Sequence, residues 1–307
     1  MTDATRSPGG DVQVAGSGDV IHDIGFRHYT GERLGRGWVV RSLFVDTLRG
    51  VFGLGRPARS KVMPWLLVAI LVLPPVVVAL VAVLTGVDRL PISYTQYLTQ
   101  LQLPISLFVA GAAPYAVSRD LRHGVMPLYL SRPMLRTDYV AARYGGLAVA
   151  LLLVMVVPQT LLLLGALLAE LPVGDNLVGW AGGLLASLLL AVLLAAVGLT
   201  IAAFTPRRGL GVAAVITVLL VVSGFSFALS GIAESQGSRD LAGLAGALDP
   251  YRLVDGIASW VLGVDPAVAE FAPTSGGQVG ILVLVYVVVV AGTGALLVRR
   301  YRKASSL

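Results

Sequence analysis

The chain contains no cysteine, which excludes a disulfide framework, a thiolate metal site and a cysteine nucleophile. Charge is scarce too: Asp, Glu, Lys and Arg make up 13% of the 307 residues, where a soluble domain carries about 25%. A water-soluble fold of this length would have no polar coat. The lysines are Lys61 and Lys303, and the histidines are His22, His28 and His123. A P-loop needs Gly-x-x-x-x-Gly-Lys and then Ser or Thr, so that backbone amides and the lysine cradle phosphates. Lys61 follows Gly55-Arg56-Pro57-Ala58-Arg59-Ser60 and precedes Val62, so the second glycine and the hydroxyl are missing. The histidines are scattered, without metal-ligand spacing. The residues for nucleotide hydrolysis or metalloenzyme chemistry are therefore missing. The chain reads as a non-enzyme without a cofactor of its own, and any ATP is expected on a separate subunit.

What is present is apolar: 56% of the residues are hydrophobic. Six stretches, at about 64–87, 98–117, 141–168, 177–204, 209–232 and 279–298, are long enough to cross a bilayer. About 20 helical residues cover a hydrocarbon core of ~30 Å. The alternating polarity of β-barrel strands is absent. The expected fold is all-α, a polytopic membrane protein with six transmembrane helices. Basic residues set the orientation, because cytoplasmic loops are enriched in Lys and Arg. With the N-terminus inside, only Arg89, Arg239 and Arg252 fall outside, and the other 20 of the 23 basic residues fall inside. The expectation is N-in and C-in, in a plasma membrane such as a bacterial cytoplasmic membrane. The positive balance is accounted for by orientation and by anionic lipid heads, and no nucleic acid is invoked.

No ionisable side chain falls well inside these six stretches, and Asp88 and Arg143 lie at edges. A charge at the bilayer centre costs at least about 2.5–3.5 kcal/mol, so proton-coupled carriers keep one only where it works. This argues against a proton relay and less strongly against sodium coupling, which backbone carbonyls can mediate. Pro74, Pro75, Pro104, Pro114 and Pro158 predict kinks. Gly179 and Gly183 form a Gly-x-x-x-Gly pair suited to close approach, although chance accounts for it equally well in so Gly-rich a chain.

The segments between the spans divide further. Residues 1–30 read as a disordered cytoplasmic N-terminus, and 31–63 as a cytoplasmic segment holding an amphipathic helix. From Trp38 to Phe52, the residues Val40, Leu43, Phe44, Leu48 and Val51 share one helical face, opposite Ser42, Asp46 and Arg49. That pattern predicts an interfacial helix with its apolar face in the acyl boundary; a short helix packed on a soluble partner would read the same way. Residues 233–278 form the longest outer connection, expected to hold short extracellular helices. There Leu253, Val254, Ile257, Trp260 and Val261 share a side of one helix. Residues 299–307 form a basic cytoplasmic tail.

Residues 118–138 are the most informative. They carry Arg119, Asp120, Arg122, Gly124, Leu130, Ser131, Arg132, Pro133 and Arg136, with Tyr139 directly after. Charges alternate with apolar anchors up to Ser-Arg-Pro, where proline disfavours helix at the preceding residue. An Arg-x-x-Arg-x-Gly-x-x-x-x-Tyr-Leu-Ser-Arg-Pro-x-x-Arg-x-x-Tyr run between the second and third of six spans resembles the ABC-2 type permeases of ATP-binding cassette exporters. In that family this segment is the coupling helix, and Gly124, Leu130, Ser131, Pro133, Arg136 and Tyr139 match its pattern. Many members have Glu where Arg119 or Asp120 stands.

The resemblance spans about 38–303. It implies a permease subunit that forms a translocation pathway as a dimer, with a second copy or a paralogue. Two cytoplasmic ABC ATPase subunits would dock at Arg119, Asp120, Arg122, Gly124, Leu130, Ser131, Arg132 and Pro133. The helix bearing Trp38, Leu43, Phe44, Leu48 and Phe52 would lie alongside, and membrane lipids would surround the bundle. Two other readings fit the residues: an ion-coupled secondary carrier acting alone, and a non-transporting membrane scaffold. The residues that bind cargo are not legible.

Overall fold

The long apolar runs form helices, and the helix ends fall where polar caps or turn residues interrupt them. A computed structural model of the chain describes residues 31, 34–122, 134–205 and 207–304, and ten α-helices occur among them. In chain order they are α1 (Arg36–Val51), α2 (Arg59–Thr85), α3 (Tyr94–Gln100), α4 (Gln102–Arg122) and α5 (Arg136–Leu168). There follow α6 (Val173–Phe204), α7 (Arg208–Ser235), α8 (Arg239–Ala245), α9 (Pro250–Leu262) and α10 (Gly276–Ala304). All ten lie in the unit Gly35–Leu307, and no strand occurs among the described residues.

Five of the helices, α2, α5, α6, α7 and α10, are each long and apolar enough to span a membrane. The sixth expected span is broken: α3 and α4 meet at an angle of 64°. A cap fixes where α3 begins, and a proline accounts for the break after it. Ser93 caps α3 by accepting from the Gln96 amide at 3.2 Å, while the Gln96 side chain accepts from the Ser93 amide at 3.4 Å. Pro104 has no N–H to give the Gln100 carbonyl, yet it fits the first turn of a new helix. By contrast, α2, α4 and α5 run without interruption through Pro74, Pro75, Pro114 and Pro158.

α6 is the central helix. In its most apolar window 61% of the residues are buried, against 50% for α5, 22% for α2 and α7 and 11% for α10. Small side chains bring it close to its neighbours: a Cβ on Gly198 would come within 2.9 Å of Val109 on α4. The Gly179 and Gly183 pair seats the Tyr94 ring of α3, with a Gly183 Cβ falling 2.8 Å from the Tyr94 Cβ. Tyrosines tie the helices crosswise: Tyr144 donates to the Val192 carbonyl at 2.8 Å and Tyr97 to the Leu71 carbonyl at 3.1 Å. The outer faces of α2, α7 and α10 remain apolar and uncovered, as at Leu73, Val221 and Val288. In water such faces would aggregate; in a bilayer they need no cover.

Successive long helices run antiparallel. One end of the bundle therefore gathers α1, the end of α4, the start of α5 and the end of α10. The other end gathers α3, α8 and α9. Asp249 caps α9 by accepting from the Tyr251 amide at 3.2 Å, Pro250 takes the first helical position, and Gly263 closes the helix at φ 63°. Leu253, Val254 and Ile257 are buried as their shared face predicts, but Trp260 and Val261 at its end are exposed.

Candidate functional site

The arginine-rich end is organised around Arg143, one turn after Tyr139 on α5. The Arg143 side chain is 6% exposed and reaches three partners on two other helices. It meets Asp120 Oδ2 of α4 at 2.6 Å, Asp46 Oδ2 of α1 at 2.9 Å and the Thr47 hydroxyl at 3.0 Å. Tyr139 also donates to Asp120 Oδ2, at 2.6 Å. The Tyr139 ring packs against that of Tyr301 near the end of α10, with centroids 5.1 Å apart. One network thus holds α1, α4, α5 and α10 together.

A buried guanidinium is tolerable only when paired and hydrogen-bonded. Here the carboxylates of Asp120 and Asp46 supply the charge. The sequence sites Arg143 at the edge of an apolar run; the structure shows it deep in side-chain contacts. The available signal was the i, i+4 spacing of Tyr139 and Arg143, which puts both on one helix face. Nothing in the local pattern of α1 or α4 revealed that Asp46 and Asp120 would converge on that face.

α1 differs from its expectation. Its apolar face is occupied by α4 and α5 rather than lying in the acyl boundary: Leu43 and Val51 are buried, and Phe44 and Leu48 are half-buried against the same core. Missing side chains permit this approach. A Cβ on Gly146 would come within 2.7 Å of Thr47 Cβ and 2.9 Å of the Phe44 carbonyl. Likewise, the Gly50 position is filled by the Tyr115 ring. Phe52 stacks at a tilt on Phe108, with centroids 5.8 Å apart. Exposed on the free side are Trp38, Arg41, Ser42, Asp46 and Arg49.

The predicted coupling residues divide into three groups. Asp120 is buried, with an oxygen occupied by Arg143 and Tyr139. Arg119 and Arg122 belong to the last turns of α4, which runs as helix past the expected span end at 117. Gly124, Leu130, Ser131, Arg132 and Pro133 lie outside the described residues. The flanks of that segment are both anchored. Met134 is buried in the core. Asp138 accepts from the Leu135 amide at 2.9 Å and holds Arg36 in a two-point ion pair at 2.6 and 2.7 Å. That hydrogen-bonded carboxylate raises the Arg36 pKa.

Among the described residues, no group of His, Asp and Glu side chains is placed to hold a metal ion. No protein-family model matches the chain, and no curated protein is significantly similar to it.

Proposed function

We propose that the chain is the membrane-spanning subunit of an ABC-2 type exporter, working as a dimer with two separate ATP-binding subunits. In this reading the arginine-rich end faces the cytoplasm and residues 118–138 receive the force of ATP-driven closure. The bundles then rock against each other and open the pathway. The observation that carries the reading is the anchoring of the 123–133 segment at both flanks. Before it, α4 is locked to α5 and α1 by Asp120, Arg143 and Tyr139. After it, Met134 is buried and Asp138 ties α5 to Arg36. A push delivered between these flanks reaches four helices. The Gly124…Leu130-Ser131-x-Pro133-x-x-Arg136-x-x-Tyr139 resemblance and the lack of a P-loop around Lys61 support the same assignment.

The test uses the full chain isolated from its native membrane together with the ATPase that accompanies it. Reconstitution is expected to give ATP hydrolysis stimulated by the permease. Gly124→Pro and Arg132→Glu should abolish the stimulation while leaving membrane insertion intact, since both positions lie outside the six apolar stretches. Unchanged stimulation in both variants overturns the docking site. Uphill flux in liposomes that contain this chain alone, driven by an ion gradient, would assign it to the secondary carriers instead.

A further inference from the structure

The end of the bundle opposite the arginine-rich one holds a cavity of about 540 Å³, roofed by α9 and the turn at Ala269–Phe271. That volume lies within the ~300–1,000 Å³ typical of small-molecule sites. One wall is apolar, with Leu220, Phe227 and Leu282. The other is polar and includes Asp249, Arg252 and Asp255.

Asp255 is the anomaly. It is 9% exposed, and its Oδ2 accepts from the Ala267 amide at 2.9 Å. Its Oδ1 is buried and has no hydrogen-bond partner. The neighbouring Thr95 hydroxyl is close enough to favour the ionised Asp255, but its one proton is directed to the Asp265 carbonyl at 2.8 Å. Arg252 is the nearby cation, but its NH1 is directed to the hydroxyls of Ser230 at 2.7 Å and Ser226 at 3.2 Å on α7. Its guanidinium also lies over the Phe271 ring, 4.6 Å from the centroid. Asp249 has donors, from Ser223 at 2.7 Å and the Tyr251 amide at 3.2 Å.

Buried acceptors without donors are rare and costly, because water is given up and nothing replaces it. The cavity sets two carboxylates against a single guanidinium already turned toward serines. The other polar residues of the lining, Gln96, Thr99, Gln100, Gln102 and Ser223, are neutral and supply no positive charge for an anion. A protonated amine supplies the positive charge that the two carboxylates lack, and the apolar wall suits a hydrocarbon body.

We propose that this cavity is a binding site for an amphiphilic organic cation, with a primary ammonium donating to Asp255 and an apolar body lying along Leu220, Phe227 and Leu282. The proposal is independent of whether the chain works with an ATPase, since it concerns binding alone. Burial raises the Asp255 pKa to about 6, so the carboxylate is ionised and ready for a cation at pH 8.

The experiment is titration calorimetry at pH 8 with the full chain in lipid nanodiscs, empty nanodiscs serving as the blank. The probe is octylamine and the uncharged control is octanol. Octylamine should bind saturably, one molecule per chain, and octanol should show only the partitioning seen in the blank. Asp255→Asn removes the charge at constant shape and should weaken octylamine roughly tenfold or more, the range for a charge-assisted hydrogen bond. Gly224→Trp should abolish the saturable component: Gly224 lines the cavity, and a Cβ there meets nothing within 4 Å, so the bulk projects into open space. This second variant decides the matter if Asp255→Asn does not fold. Equal binding of octanol and octylamine, no saturable octylamine binding, or wild-type binding in either folded variant overturns the proposal.

Discussion

The two ends of the bundle treat buried charge in opposite ways. At the arginine-rich end, the charge of Arg143 is matched by Asp120 and Asp46, although its Nε has no hydrogen-bond partner, and Tyr139 donates to the same Asp120 oxygen. At the opposite end, Asp255 is just as hidden, yet it has no ion-pair partner among the described residues, and Arg252 points its NH1 at serines. The first arrangement fixes helices in place. The second imposes a cost that a rigid scaffold has no reason to keep, and it adjoins a cavity. Structure is held where charges are paired, and a ligand is expected where one is left without a partner.

The largest expected effect breaks the paired end. Arg143→Met leaves Asp120 buried without its cation, and uncompensated buried charges cost about 3–5 kcal/mol. Thermal unfolding in detergent should show the loss, together with faster proteolysis at α1, whose Asp46 and Thr47 lose the same partner. Adding Asp120→Asn to Arg143→Met should recover part of the stability, because the orphaned carboxylate is gone. If Arg143→Met unfolds like the parent, α1 is held by its apolar face alone.

At the unpaired end the sign reverses. The Asp255 pKa is raised from 3.8 to about 6, chiefly by burial, against the opposing pull of the Ala267 amide, Thr95 and Arg252. Nearby Asp249 is also raised, again by burial first. A carboxyl with a raised folded-state pKa binds its proton more tightly in the folded than in the unfolded chain. Stability is therefore undiminished below about pH 4, falls as pH rises from there toward 6, and stays low above it. A shift of this size corresponds to roughly 3 kcal/mol. Asp255→Asn should accordingly stabilise the protein at pH 8 and lose that advantage near pH 4, as read by denaturant midpoints at the two pH values. Equal effects at both would remove the contrast between the ends.

A smaller effect tests why α1 sits where it does. Gly146→Val places a side chain against Thr47 Cβ and the Phe44 carbonyl, and overpacking of this kind costs about 1–3 kcal/mol. The control is Gly224→Val, where a Cβ meets nothing within 4 Å. Both variants lose the same glycine flexibility, so the difference in melting temperature reports the close approach of α1 to α5.

The helices were legible in the sequence because a long apolar run in a charge-poor chain has one way to satisfy its backbone in lipid. Boundaries differ from expectation mainly where polar residues continue a helix: α4 through Arg119 and Arg122, and α5 back to Arg136. The break before Gln102 falls where Pro104 has no N–H for the Gln100 carbonyl; the proline was visible as a kink, but that a new helix starts there was not. The amphipathic α1 was readable from its pattern. What covers its apolar face was not, because the answer lies at Gly146, about a hundred residues away in sequence. The same holds for both candidate sites. Asp46, Asp120 and Arg143 come from three helices, and the lone Asp255 oxygen depends on where Thr95 and Ala267 send their donors. Such convergence has no sequence spacing to betray it.

The smallest expected effect concerns a second ion pair at the arginine-rich end. Arg36 and Asp138 meet at two points, 2.6 and 2.7 Å, a geometry as favourable as that of Arg143 with Asp120. Yet the Arg36 side chain is 54% exposed, and water and salt screen what the buried pair keeps. Arg36→Gln should therefore leave the melting temperature unchanged within error at physiological salt, and lower it slightly only at low ionic strength. Asp138→Ala should do more, since it also removes the acceptor for the Leu135 amide at the start of α5. An Arg36→Gln loss comparable to that of Arg143→Met would mean that this end is held from its exposed flank as much as from its buried centre.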